Sequence, residues 1–258
     1  MRINGSIIGS NVTPSFLSGA TGVWSMQNVE LANRQIIWPT NIVTNGLVLF
    51  LDANNTNSYP GSGTTWTDLS GNGYTGTLTN GPTFSSANGG SIVFDGTNDY
   101  VSGTTSGLVS SVISMDVWFN VNSSKTYSAL MGSNATEKYE MLIKSGLHIE
   151  VSLQASNYMQ YSNILSLNTW TNIVVTAVSG TQWKMYKNGV YLGSPTSSVG
   201  TWQVSGTSIS NFGLGRIRND VSTFAYSGNI STVKIYNREL TASEVLQNFN
   251  LTRDRFGV

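Results

Sequence analysis

The sequence predicts an all-β protein, a two-sheet antiparallel sandwich with one short helix near each end. Three observations carry that prediction. From residue 46 onward apolar residues recur with a period of two. Ile113, Met115, Val117, Phe119 and Val121 alternate with Ser114, Asp116, Trp118 and Asn120, the pattern of a half-buried strand. Turn chemistry punctuates the runs, most clearly in Asn188-Gly189 between two strand-like segments. Helical spacing is confined to two short stretches, and a dozen or so strands then require two packed sheets.

Composition narrows the class. A chain of 258 residues buries roughly three quarters of its unfolded surface, enough for one large core. The 13 basic and 13 acidic side chains cancel, and no Lys/Arg cluster exceeds a pair. That argues against nucleic acid and anionic membrane as partners. Seven Trp, eleven Tyr and nine Phe make the chain far too aromatic for disorder. With no cysteine, disulfides, thiolate metal sites and a Cys nucleophile are excluded. The stretch Met1-Arg2-Ile3-Asn4-Gly5-Ser6 lacks the apolar core of a secretory signal. The longest apolar run, Leu47 to Leu51, is too short to span a bilayer. Work outside a cell is then expected to be reached by lysis, as part of a virus particle.

Taken in order, residues 1–45 form an attachment segment. Met26, Val29, Asn33 and Ile36 fall at helical spacing, with Ser25 as cap and Pro39 as stop. Trp24 and Trp38 bracket this helix and are the partner-anchoring candidates. Residues 46–258 form the sandwich. Gly46 to Ala53 reads as a buried strand, Trp66 to Gly73 as a tight polar loop, and Ser91 to Val101 as a further strand and turn. Tyr139–Ile143 and the alternating Leu147, Ile149, Val151 and Leu153 form a hairpin through Lys144-Ser145-Gly146. Asn188-Gly189 joins Trp183–Lys187 to Val190–Leu192 in a type I′ turn, which places Tyr186 opposite Tyr191. Thr241-Ala242-Ser243-Glu244 is a capping box, Leu240 and Val245 a hydrophobic staple, and Val245, Leu246 and Phe249 the apolar stripe of a C-terminal helix.

The order of these motifs resembles the laminin G-like, concanavalin A-like lectin/glucanase jelly rolls. The opening strand, the Asp68 to Gly73 loop and Phe94-Asp95-Gly96 begin the resemblance. Trp170 to Thr176, Tyr186-Lys187-Asn188-Gly189 and the closing Gly228 to Thr241 segment complete it. It runs from about Gly46 to Phe249. The flanks, Gly22-Val23-Trp24-Ser25 leading to Trp38-Pro39 and the final Asn248 to Val258, are similar to structural proteins of marine bacteriophages. The resemblance implies a jelly-roll sandwich that recognises sugars or other surfaces.

Candidate sites follow. Asp68 and Asn72 supply side-chain oxygens for a calcium ion, the one cofactor the loops suggest. The alternative is an Asx-turn with glycines at positive φ. In the resembling domains a carboxylate often completes the ion site where Ser231 stands here. Asp95, Asn98 and Asp99 pose the same choice. Catalysis has no candidate residue, because the Glu-x-Asp-x-Glu string of glycan-cleaving relatives is missing. Glu140 and Glu150, on adjacent strands with Lys138 and Lys144, are expected to form a solvated charge ladder. His148 is read as an exposed cross-strand neighbour of Glu150. Trp118, Tyr158, Tyr161 and Trp202 are the carbohydrate-stacking candidates.

The function expected is a non-enzymatic virion surface component, such as a capsid decoration, fibre or tail-associated protein. Its jelly roll would face outward toward surface glycans, and other virion proteins would hold residues 1–45. A homo-oligomer stays open. A stand-alone lectin or carbohydrate-binding module is the alternative, and a degenerate glycanase the next.

Overall fold

The structure is a computed structural model that describes residues 41–109, 111–133, 139–153, 157–178, 183–199, 208–217, 220 and 223–258. The expected helix at 25–37, with Trp24 and Trp38, lies outside these residues, as does Trp202. Among the described residues the strands, in chain order, begin with β1 (Leu47–Asp52), β2 (Thr65–Trp66), β3 (Gly76–Thr79), β4 (Thr83–Ser85), β5 (Ser91–Asp95) and β6 (Tyr100–Val109). Next come β7 (Val112–Val121), β8 (Tyr127–Gly132), β9 (Glu140–Lys144), β10 (His148–Leu153), β11 (Asn157–Tyr161) and β12 (Trp170–Val178). The last are β13 (Lys184–Lys187), β14 (Val190–Tyr191), β15 (Ser197–Val199), β16 (Ser208–Leu214) and β17 (Ser227–Tyr236), followed by helix α1 (Ala242–Thr252).

These strands form two antiparallel sheets. The first runs β14–β13–β12–β7–β17, and the far edge of β17 is shared by β1 and by β5 with β4. The second runs β2–β3–β6–β16–β8–β9–β10–β11–β15. Among the described residues, the strands of the two sheets pair with each other where β6 turns into β7, at Val109 opposite Val112. Between them lies one core. Met115, Val117 and Phe119 from β7, with Ile173, Val175, Val233 and Ile235, face Met141, Ile143, Ile149, Val151 and Phe212 of the second sheet. All are fully buried, which is the layer packing that period-two alternation demands.

The outer face of the first sheet departs from expectation. β7 was expected to be half-buried, yet Ser114, Asp116 and Trp118 on its polar side are buried too. Helix α1 covers Asp116 and Trp118, and the turn before it covers Ser114, which donates to the Arg238 carbonyl and accepts the Leu240 amide. The capping box of α1 forms as read, with Thr241 accepting from the Glu244 amide. The buried stripe is Val245, Asn248, Phe249 and Thr252, spaced i, i+3, i+4, i+7. Leu246, expected in that stripe, is exposed, because it sits off the face that this spacing selects.

Polar groups under α1 are joined to one another. Asp116 accepts from Lys234 Nζ at 3.0 Å, Asn172 Nδ2 at 2.8 Å and Asn248 Nδ2 at 3.3 Å. Asn248 also accepts the Val43 amide at 3.0 Å and donates to Tyr236 Oη at 2.9 Å. Asn172 and Asn248 thus add two donors to the carboxylate of a buried charge pair, and further hydrogen bonds of this kind are what make such a pair tolerable. Val43 is buried against Val174, Tyr236 and Leu240, and one compact unit spans Val43–Val258. Among the described residues no helix is long and apolar enough to cross a membrane.

Candidate functional site

The outer face of the second sheet carries a groove, and strand parity decides which side chains reach it. On β9, Met141 and Ile143 turn into the core, so Glu140, Leu142 and Lys144 turn out. On β10, Ile149 and Val151 turn in, and His148, Glu150 and Ser152 turn out. Register then aligns these residues in rows. Glu140 lies opposite Ser152 and Ser152 opposite Tyr158, while Leu142 lies opposite Glu150 and Glu150 opposite Gln160. Glu140 and Glu150 are therefore diagonal neighbours on adjacent strands, with Cα atoms roughly 7–8 Å apart.

The groove has a volume of about 310 Å³, at the small end for a ligand site. Tyr127 and Phe224 wall one side, their rings 5.7 Å apart. They pack on a small outer cluster of Ala129, Leu142 and Ile217. Tyr158, Asn157 and Ser152 close the other side. Of the solvated charge ladder expected here, Lys138 lies outside the described residues, and the two carboxylates are not solvated. Glu140 is 2% exposed and Glu150 8%, because Leu142 and the two rings shield what a bare sheet would leave in water. Lys144 Nζ lies 2.9 Å from Glu150 Oε2 and 5.4 Å from the centre of the Tyr127 ring. Ser152 Oγ donates to Glu140 Oε2 at 3.2 Å. His148 pairs through Nδ1 with Gln160 Nε2 at 3.0 Å, on the row beyond Glu150.

Of the stacking candidates, Tyr158 alone among the described residues stands in the groove. It is half-buried, with its hydroxyl 3.4 Å from Ser197 Oγ. Two candidates are corrected. Trp118, expected to be exposed, is fully buried and stacks on Phe249 and Phe256 with centroids 5.7 and 4.2 Å away. Its indole N–H donates to Thr252 Oγ1 at 2.8 Å, so helix α1 and the residues after it occupy the face a sugar would need. Tyr161, expected in loop-like polar surroundings, ends β11 on its core side at 4% exposure. Its hydroxyl donates to the Gly193 carbonyl at 2.5 Å. Burial, and secondarily the neighbouring Tyr191, pushes that phenol up to about 12. Tyr158 and Tyr161 are three apart, and in a strand that spacing sends them to opposite faces.

The Asp68 loop is closed on itself. Oδ1 accepts the Phe50 and Ser70 amides, both at 2.9 Å. Oδ2 accepts Ser70 Oγ at 2.7 Å and the Tyr74 amide at 3.1 Å. Four donors fill the acceptor positions of one carboxylate. Asn72 turns its amide nitrogen to the Leu47 and Val48 carbonyls at 3.2 and 3.0 Å. In this geometry the two side chains do not converge as ion ligands. Ser231 donates to the Gly90 carbonyl at 2.6 Å and accepts from Arg255, which also holds Asp52. Asp95 makes the turn alternative explicit, accepting the Thr97 and Asn98 amides, and the Thr97 bond holds its carboxyl below the usual range. Burial pushes Asp99 up. Among the described residues no three His, Cys, Asp or Glu side chains are grouped to hold a metal.

The walls of the groove are what sequence reading missed. Tyr127 sits on β8, opposite Lys144 of β9, while Phe224 comes from a segment far along the chain, and only Leu142, an apolar residue on an otherwise polar face, hints at them. A second groove of about 420 Å³ lies beside Lys184, Tyr186, Tyr191 and Glu239.

A family model described as the concanavalin A-like lectin/glucanases superfamily matches residues 95–246, more than half of the chain. No curated protein matches. Among solved structures, the botulinum neurotoxin type G receptor-binding domain is similar at TM-score 0.61 and 16% identity, over 80% of this chain and 51% of that one. The botulinum neurotoxin serotype D ligand-binding domain in complex with N-acetylneuraminic acid gives TM-score 0.61 and 14% identity, over 81% and 51%. The Trypanosoma rangeli sialidase in complex with sialic acid gives 0.58 and 19%, over 81% of this chain and 33% of the enzyme. This chain thus spans about half the length of the toxin domains and a third of the sialidase. At these identities the likeness is one of fold.

Proposed function

From a chain that belongs to the concanavalin A-like lectin/glucanases superfamily, we propose a glycan-binding module whose site is the groove over β9, β10 and β11. The observation that carries this reading is the groove's composition. Tyr158 and the Tyr127–Phe224 wall offer rings for the C–H faces of a sugar, and buried carboxylates with Ser152 and Asn157 offer partners for its hydroxyls. Apolar walls with a few convergent polar groups are what small-ligand sites share. The titles of the similar structures, naming receptor binding and sialic acid, support the ligand class without fixing it. Binding of the full chain to a glycan array, lost in Tyr158→Ala with the melting curve intact, is the test. An unchanged array pattern in that variant would move the site elsewhere.

In this reading the module is a virion surface component of bacteriophage type, mounted by residues 1–45 with Trp24 and Trp38 as anchors. The sequence of the flanks supports that setting. Cross-linking within purified particles should join residues 1–45 to other particle proteins. If 46–258 binds glycans as well as the full chain and residues 1–45 cross-link to nothing, the stand-alone lectin is the better reading.

A second reading, glycan cleavage, draws on Glu140 and Glu150 sharing one face of the groove. Paired carboxylates within about 5–9.5 Å can flank a glycosidic bond. Binding without turnover is preferred because Glu150 is tied to Lys144 and Glu140 to Ser152, so both carboxylates are already held by protein partners. New reducing ends from a polysaccharide panel, abolished by Glu150→Gln, would establish the enzyme instead.

A further inference from the structure

Resting on the glycan-binding reading of the first groove, we propose that the second groove, on the opposite outer face of the sandwich, is a weaker sugar site, so that one chain bridges two glycans. Strand parity puts it there. On β13, Met185 turns into the core, so Lys184 and Tyr186 turn out, away from the sheet that carries the first groove. Across the hairpin Tyr191 lies opposite Tyr186, and directly opposed residues share a face. The Asn188-Gly189 turn, with both φ values positive, fixes that register.

The groove holds about 420 Å³, within the range of small-ligand sites. Its floor is apolar, with Leu240 and Tyr186 both buried. Tyr191 stands beside that floor at 49% exposure, its ring 5.4 Å from Tyr186 and tilted by 48°. A ring held by a hairpin yet open to water offers a platform for the C–H face of a sugar at low entropic cost. The polar rim is an ion pair, Lys184 Nζ to Glu239 Oε1 at 2.8 Å, with both side chains partly exposed. Among the described residues this bond engages one of the ammonium's three donors and one of the carboxylate's two oxygens. A donor and an acceptor therefore stand side by side. Two adjacent sugar hydroxyls, each able to donate and accept, match that pair. The site is the weaker one because it offers a single open ring, where the first groove has Tyr158 and the Tyr127–Phe224 wall. Its charges also face water, which screens polar contacts.

The test titrates an oligosaccharide chosen from the array into the isotope-labelled full chain. In parallel it follows the clouding produced when the chain meets a polymer carrying many copies of that sugar. Wild type should cloud the polymer and show two sets of amide shifts. The second set, at residues 184–191 and 239–242, should saturate at a concentration at least about tenfold higher than the first. Tyr191→Ala should lose the second set and the clouding while the first set stays. Tyr158→Ala should lose the first set and the clouding, because the second site alone is too weak to hold the chain on an array. Glu239→Gln removes an exposed charge at little cost to the fold and should weaken the second set about fivefold. It serves on its own where Tyr191→Ala lowers the melting temperature. A single set of shifts at the first groove, or a folded Tyr191→Ala that clouds the polymer like wild type, would overturn the second site and leave the glycan reading standing. No shifts anywhere in a folded chain would remove the glycan reading itself, and the inference with it.

Discussion

At the scale of single residues, Trp118 and Tyr158 part company although their local sequence suggests one role for both. Each lies in a strand-like stretch with polar residues two positions away on either side, Asp116 and Asn120 for Trp118, Ser156 and Gln160 for Tyr158. What separates them is which element lands on each face, and for Trp118 that element is chain more than 130 positions away. No local pattern carries that information. Trp118→Ala should cost about 3–5 kcal/mol by chemical denaturation, as for a fully buried aromatic, whereas Tyr158→Ala should leave stability nearly unchanged and remove binding. Asp68 makes a parallel case. Its spacing with Asn72 is legible, but the direction of the Asn72 amide is not, and that direction makes the loop a hydrogen-bonded turn. Asp68→Ala strands the buried-side donors of Phe50 and Tyr74, a loss of about 1–3 kcal/mol. The loss should be the same in calcium and in chelator, and chelation of wild type should shift the melting temperature by a few degrees at most. A large chelator effect abolished by Asp68→Ala would show an ion bound there after all.

Elements whose signals are local were readable. The Asn188-Gly189 turn has φ of 49° and 76°, as a type I′ hairpin requires, and Tyr186 lies opposite Tyr191 with rings 5.4 Å apart. The capping box of α1 forms for the same reason: its four residues contain all of its chemistry. Glu244 in that box is held down to about 2, first by its hydrogen bond to Arg238 and then by the Thr241 amide and hydroxyl. A carboxyl depressed on folding adds stability that is complete above its unfolded value near 4.5 and is lost as pH falls through about 2. The melting temperature should therefore decline across that acid window, and Glu244→Gln should flatten the decline. A wild-type curve no steeper than the variant's would mean the box contributes nothing to docking α1. The strand β7 was legible only by halves. Its core side follows from period two, while its other side depends on a helix that sequence spacing cannot place. Asp116→Asn would leave Lys234 buried and its charge unmatched, so a loss of about 3–5 kcal/mol is expected.

For the whole molecule, the sandwich follows from alternation repeated along the chain, and the order of motifs from strand to strand is what made the fold readable. The groove was not readable, because its floor, walls and charges come from β8, β9, β10, β11 and the stretch around Phe224, joined only by register. Val43 shows the same limit at the edge of the sandwich. Its amide bonds Asn248 and its carbonyl accepts the Tyr236 hydroxyl, ahead of the first residue at which the strand pattern starts. A 43–258 fragment should accordingly melt cooperatively and above a 46–258 fragment. Equal melting temperatures would mean that these two bonds add nothing.

The central claim is that the outer face of the second sheet is where a glycan binds. Backbone amide shifts, followed as an oligosaccharide chosen from the array is titrated into the isotope-labelled chain, test it most directly. Perturbations clustered at Glu140–Lys144, His148–Ser152 and Asn157–Gln160, with Tyr127 and Phe224, are the predicted result. Perturbations confined to the groove beside Lys184, Tyr191 and Glu239, or to the Asp68 loop, would contradict it.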